Sequence, residues 1–112
     1  MHSLPIPTQD QIRAAYAAVQ TDILNAHRRC APQAELNALH DRQAAHLMAV
    51  NSIGCAKDCR HKARALLAQS DAPGYESERD GLRYEAQRQY ELAERALRNA
   101  YSLLNLSTPH NK

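Results

Sequence analysis

Residues 32–69 read PQAELNALHDRQAAHLMAVNSIGCAKDCRHKARALLAQ, and the fold turns on whether this stretch is one helix or two. Pro32 is well placed to open a helix, since its missing N–H would find no intrahelical partner there. No second Pro follows, and the single weak breaker is Asn51-Ser52-Ile53-Gly54. Two considerations pull apart. The apolar stripe before Gly54 (Leu36, Leu39, Leu47, Val50) is rotated by roughly a third of a turn from the one after it (Cys55, Cys59, Leu66, with Ala63 nearby), taking 100° per residue. That favours a corner. Against it, the last apolar-periodic stretch runs unbroken from about Tyr75 to Leu106, roughly 48 Å at 1.5 Å per residue, and a continuous second helix of about 57 Å would match it as an antiparallel neighbour. An interior Gly costs a helix only about 1 kcal/mol. The continuous helix is therefore the expectation, and four helices with a break near Asn51–Gly54 the alternative.

Working outward, Thr8-Gln9-Asp10-Gln11 matches a capping box, in which the Thr8 hydroxyl and the Gln11 side chain satisfy each other's backbone amides. Ile12, Ala15 or Tyr16, Val19, Ile23, Ala26 and Cys30 then recur at spacings of three and four, the apolar stripe of a first helix. Cys30 is expected to be a small core residue, and Ala31-Pro32 ends the helix because Pro disfavours the α conformation in the residue before it. Ser70-Asp71-Ala72-Pro73-Gly74 is a turn. Beyond it Leu82, Ala86, Tyr90, Ala93, Leu97, Ala100 and Leu104 form the clearest stripe in the chain, with Glu91–Arg95 and Glu94–Arg98 expected as i,i+4 ion pairs on the outside. Residues 1–7, with Pro5 and Pro7, and 107–112 are expected to be flexible ends.

Composition agrees with an all-α domain. The chain has 112 residues, five Tyr, no Phe or Trp, and only three Gly. Its apolar content is mostly Ala and Leu, strong helix formers, and no run alternates as a strand would. The expected architecture is an antiparallel three-helix bundle with a long helical hairpin, forming one domain over residues 1–112. In that picture the first helix covers the near half of the hairpin, and the far half, Cys55–Arg64 facing Tyr75–Arg88, protrudes.

Fourteen basic against twelve acidic residues, net +2, demand neither nucleic acid nor an anionic membrane as partner. No apolar run approaches the roughly 20 residues that span a bilayer, and the N-terminus lacks the cationic and apolar regions of a signal peptide. A cytoplasmic location with reduced thiols is expected for the three Cys. The Ala- and Arg-rich composition suggests a bacterial source.

Chemistry is harder to find. Cys55 and Cys59 share a helix face and could give two soft ligands to a metal, yet a structural site needs about four. Cys30 lies roughly 35 Å from Cys55 along a continuous helix, and His61 points about 200° around the helix from Cys59. A metal site would need a second copy of the chain, and the plainer expectation is that the thiols fill an Ala-rich seam. His40 and His46 lie six residues apart, off one helical face, with no nucleophile placed for either to serve as base. No phosphate loop or Glu-x-x-His motif is present, so neither an enzyme nor a cofactor is expected.

Lys57, Arg60, His61 and Arg64 form a one-sided basic stripe that could meet phosphates. Arg83, Tyr84 and Arg88 face them along the hairpin, with Tyr84 the expected contact anchor, since Tyr pairs an apolar ring with a hydroxyl that can stay wet. The expected function is protein–protein interaction, as an adaptor or inhibitor that self-associates through the protruding hairpin. A nucleic-acid-associated regulator using the basic stripe is the alternative, and an inter-chain thiol metal site a third.

Overall fold

The computed structural model describes residues 4–108, which form three α-helices and no strand: α1 (Gln9–Arg28), α2 (Gln33–Ser70) and α3 (Arg79–Leu103). α1 begins at the expected capping box. Gln11 N–H donates to Thr8 Oγ1 over 3.1 Å, and Thr8 N–H donates to Gln11 Oε1 over 2.8 Å. Its C-terminus is a Schellman motif. Ala31 N–H donates to Ala26 O and Cys30 N–H to His27 O, with Cys30 in the left-handed region at φ 55°. The Cys30 side chain is therefore exposed at the helix end, where the expectation had placed it in the core. Three-and-four spacing cannot register that the chain leaves the helix one residue earlier.

α2 runs unbroken for 38 residues, about 57 Å. Gly54 is mid-helix and exposed, and a Cβ built there would meet no atom within 4 Å. No corner forms, because the residues that set the apparent rotation of the stripe are not the ones buried. Leu47 and Val50 are exposed, and the buried positions are Ala49, Ile53, Ala56, Ala63 and Ser70. Four of these, Ala49, Ala56, Ala63 and Ser70, recur every seven residues. α3 answers with Ala86, Ala93 and Ala100 at the same interval, interleaved with Leu97 and Leu104. A seven-residue repeat keeps a seam facing its partner helix, and small side chains on both sides let the two backbones approach closely. The low aromatic content is thereby explained, since the main seam of this protein has little room for large rings.

α3 starts at Arg79, four residues later than Tyr75. The connection is a series of turns with Gly74 at φ 93°, where Glu76 Oε2 accepts from Gly74 N–H and the Arg79 guanidinium donates to Ser70 O. At 25 residues, about 38 Å, α3 does not match α2 in length. It pairs with the C-terminal half of α2, and α1 pairs with the N-terminal half. α1 and α3 together reach about 68 Å, so they overlap only briefly along α2. The overlap is one core cluster, where Ile12 of α1 and Ala100 and Leu104 of α3 all meet Ala49 and Ile53. The far half of α2 is thus paired along its length by α3, and the half paired only with α1 is the one left with open flanks. The molecule is elongated, 67 × 28 × 19 Å.

Residues 4–7 are not a loose lead-in. Leu4 and Ile6 pack against a second core cluster, Ala56, Ala93 and Leu97, and Ile6 also touches the first. Pro7 is buried. The segment lies as a strap over the α2/α3 hairpin, beyond the N-terminus of α1. Residues 1–3 and 109–112 of the expected flexible ends lie outside the described residues, and Ser107 and Thr108 are exposed and non-helical.

Candidate functional site

α2 between residues 47 and 50 carries the largest exposed apolar side chains of the N-terminal half. Leu47 is 68% exposed and Met48 59%, with Val50 beside them and Leu24 on α1. His40, Gln43, Leu47 and Val50 follow one another at spacings of three, four and three, and so share one face of α2. The matching face of α1 carries Gln20, Leu24 and His27. Gln20, Ile23, Leu24, His27, His40 and Gln43 line an open groove of about 340 Å³ between the two helices. His27 and His40 meet across it edge to face, ring centroids 6.3 Å apart. None of these groove residues is Asp, Glu, Lys or Arg. Leu24 stands in that uncharged lining, and Leu47 and Val50 continue the face of His40 and Gln43; exposed apolar side chains with no charge among them are typical of interface centres.

The opposite flank of the same helix pair is partly closed. Leu103–Leu106 at the end of α3 fold over it, together with Gln11, Ala15, Val19, Arg42 and His46, and enclose about 330 Å³. The chain turns there through a second Schellman motif, with Asn105 at φ 57° and Leu106 N–H donating to Tyr101 O. His46 packs on the Tyr16 ring at 4.8 Å, and its Nδ1 is buried without a hydrogen-bond partner among the described residues. Arg42 pairs with Asp22 at 3.2 Å.

The seven residues singled out for partner binding do not come together. Lys57, His61 and Arg64 are exposed along one face of α2. Arg60, from the middle of that stripe, turns inward: it is 15% exposed, pairs with Glu94 at 3.3 Å and donates to the Leu4 carbonyl at 2.6 Å. Arg83 is tied to Asp71 at 3.1 Å beside the interhelix turn. Tyr84, 65% exposed, and Arg88 point away from the seam, about 180° and 140° around α3 from Ala93 at 100° per residue. The expected Glu94–Arg98 surface pair is likewise replaced by the inward Glu94–Arg60 pair.

Cys55 is exposed and Cys59 half-buried against the Ala56–Ala93–Leu97 cluster, so only one of the two thiols fills the seam as expected. No three His, Cys, Asp or Glu side chains stand together as a metal would need, among the described residues. Cys55 opens instead onto a shallow groove of about 510 Å³ formed with Asn51, Ser52, Leu92, Ala96 and Asn99. No described helix is long and apolar enough to cross a membrane.

The polar centre that sequence reasoning missed is where the strap crosses the hairpin. Leu4 N–H donates to Glu94 Oε1 at 2.7 Å, Arg60 donates to Leu4 O, and the Tyr101 hydroxyl donates to Pro5 O at 2.8 Å. Burial holds the Tyr101 phenol above its ordinary pKa; the Arg60 charge opposes that shift and the Glu94 charge adds to it. The phenol is thus a hydrogen-bond donor at neutral pH. The signal available in the sequence was Arg60 seven residues after Ile53, a charge one heptad from a buried position. No family model, curated protein or solved structure matches the chain.

Proposed function

We propose that this chain is a small non-enzymatic interaction protein, an adaptor or inhibitor, which self-associates through the open flank of the α1/α2 hairpin. The observation that carries the reading is the run of uncovered apolar side chains, Leu24 on α1 and Leu47 and Val50 on α2, along one flank of the helix pair. Two helices alone bury little, and an added helical layer on that flank would remove these side chains from water. The occupant proposed is the same flank of a second copy, giving an antiparallel four-helix layer around Leu24, Leu47 and Val50. An isologous contact of this kind needs one self-complementary surface, and an uncharged groove sets no like charges against each other across the two-fold axis.

Light scattering over a range of concentrations tests it. The parent chain is expected to shift from monomer to dimer as concentration rises, and Leu47→Glu to remain monomeric with unchanged helix content. A parent chain that is strictly monomeric at its highest attainable concentration, with a melting temperature independent of concentration, would overturn the proposal.

A further inference from the structure

The strap over the α2/α3 hairpin is held mainly through its backbone. The groove below it uses three side chains from two helices, Arg60, Glu94 and Tyr101, to take both the N–H and the C=O of Leu4 and the C=O of Pro5. Leu4 and Ile6, two residues apart, contribute apolar contacts to the Ala56–Ala93–Leu97 cluster. We infer that this groove is a peptide-recognition site for an extended segment of the pattern apolar-Pro-apolar-Pro supplied by another protein, and that Leu4–Pro7 occupies it in cis.

Three observations carry this. First, Arg60 and Glu94 are 15% and 16% exposed. Replacing a largely buried ion pair by an apolar pair of the same volume is often neutral or stabilising, so helix packing alone does not call for one here. What the pair does supply is one donor and one acceptor spaced to bracket a single peptide residue. Second, hydrogen bonds to backbone carry no side-chain identity, so the site admits any chain that presents the same extended backbone with apolar residues at the positions of Leu4 and Ile6. Third, proline is the residue this geometry prefers between the two apolar positions and directly after the second. Pro5 and Pro7 have no N–H to leave unsatisfied in the groove, and each disfavours the helical region for the residue before it. Leu4 and Ile6 are thus biased toward extended backbone and Pro5 and Pro7 have φ fixed before they bind, so less ordering entropy opposes binding.

The strap joins Thr8, the N-cap of α1, with no intervening linker, so its local concentration at the groove is high. A segment in trans therefore binds only the fraction of molecules whose strap is released. The groove lies on the α2/α3 hairpin, away from the α1/α2 flank, so its test can fail while dimerisation stands, and the reverse.

The experiment uses the full-length chain and a full-length Leu4→Ser/Ile6→Ser variant. Both are titrated into an N-acetylated Leu-Pro-Ile-Pro-Thr peptide carrying a C-terminal fluorophore, and binding is read by anisotropy. Saturable binding by the variant, tighter than the parent by about tenfold or more, is expected. Methylating the leucine amide nitrogen of the peptide removes the hydrogen bond to Glu94 and keeps both side chains, so it should weaken binding to the variant by about tenfold. No saturable binding by a variant with native helix content, or equal binding of the methylated peptide, would overturn the inference. Should the variant be partly unfolded, a melting temperature that rises with peptide concentration supports the site and one that does not rise refutes it. A parent dimer that excess peptide converts to monomer would make a second copy the occupant and overturn the assignment to another protein.

Discussion

The alanine seam makes a prediction that separates close helix packing from mere helix propensity. Ala93 is fully enclosed between Ala56 and Leu97, and its own heptad neighbours Ala86 and Ala100 are equally buried. Ala93→Leu adds three carbons where the opposite helix presents another small residue with no space to yield. Burying those carbons would be favourable by roughly 2 kcal/mol if room existed. Because it does not, the helices must separate over at least one heptad, and overpacking of this kind costs about 1–3 kcal/mol net. Urea unfolding followed by circular dichroism at 222 nm measures the difference. With an m-value of about 1.5 kcal/mol/M, a loss of 2 kcal/mol moves the midpoint down by about 1.3 M. The control is Ala68→Leu, on the exposed face of α2, which should change stability by less than about 0.5 kcal/mol. If Ala93→Leu were neutral or stabilising, the reasoning would be refuted, since Ala93 would then be filling space loosely and the seven-residue repeat would be a by-product of alanine-rich composition.

Two further predictions follow from single residues. Gly54→Ala should stabilise by about 0.5–1 kcal/mol in the same urea assay, because the new methyl meets nothing and the unfolded chain loses freedom; a loss of stability would show that α2 bends there in solution. Tyr101 has a pKa raised in the folded state, so its contribution to stability is fully present below the ordinary value of about 10 and is lost as pH rises through the folded value. The parent should therefore lose stability more steeply than Tyr101→Phe above about pH 10, and parallel urea midpoints for the two chains across that range would show that the phenol does not hold the strap.

Helix number and most of the helix ends were legible in the residues. The Thr8–Gln11 capping box is a local hydrogen-bond pattern, Pro32 a local steric one, and both act within four residues of where they stand. The continuity of α2 was legible only in that one interior Gly costs a helix little; the length match also offered for it does not hold, because α3 is the shorter helix. The start of α3 was not, because Tyr75 and Glu78 have no helix-breaking character of their own. The turns that occupy 71–78 are fixed by Gly74 at positive φ and by the Arg79 side chain reaching back to Ser70, a contact nine residues apart.

The candidate surfaces show the same division more sharply. Lys57, Arg60, His61 and Arg64 share a helical face, and the sequence alone dictates that. Whether such a face meets water depends on what crosses it, and the strap that captures Arg60 comes from 56 residues away. Glu94 reads equally well as a surface partner for Arg98 or an inward partner for Arg60 until α2 and α3 are brought into register. The apolar surface at Leu47 and Val50 was assigned to a core stripe because large residues are the obvious candidates for burial. The buried positions are instead Ala49, Ile53 and Ala56, because a closely approached seam admits small side chains and expels the larger ones to the flank. By itself the sequence determined the all-α class, the helix stretches and the N-terminal cap of α1, since those rest on interactions within a few residues along the chain. Only the tertiary structure decided which face is seam and which is surface, because that choice is made by the distance at which the helices pack and by the strap laid across them.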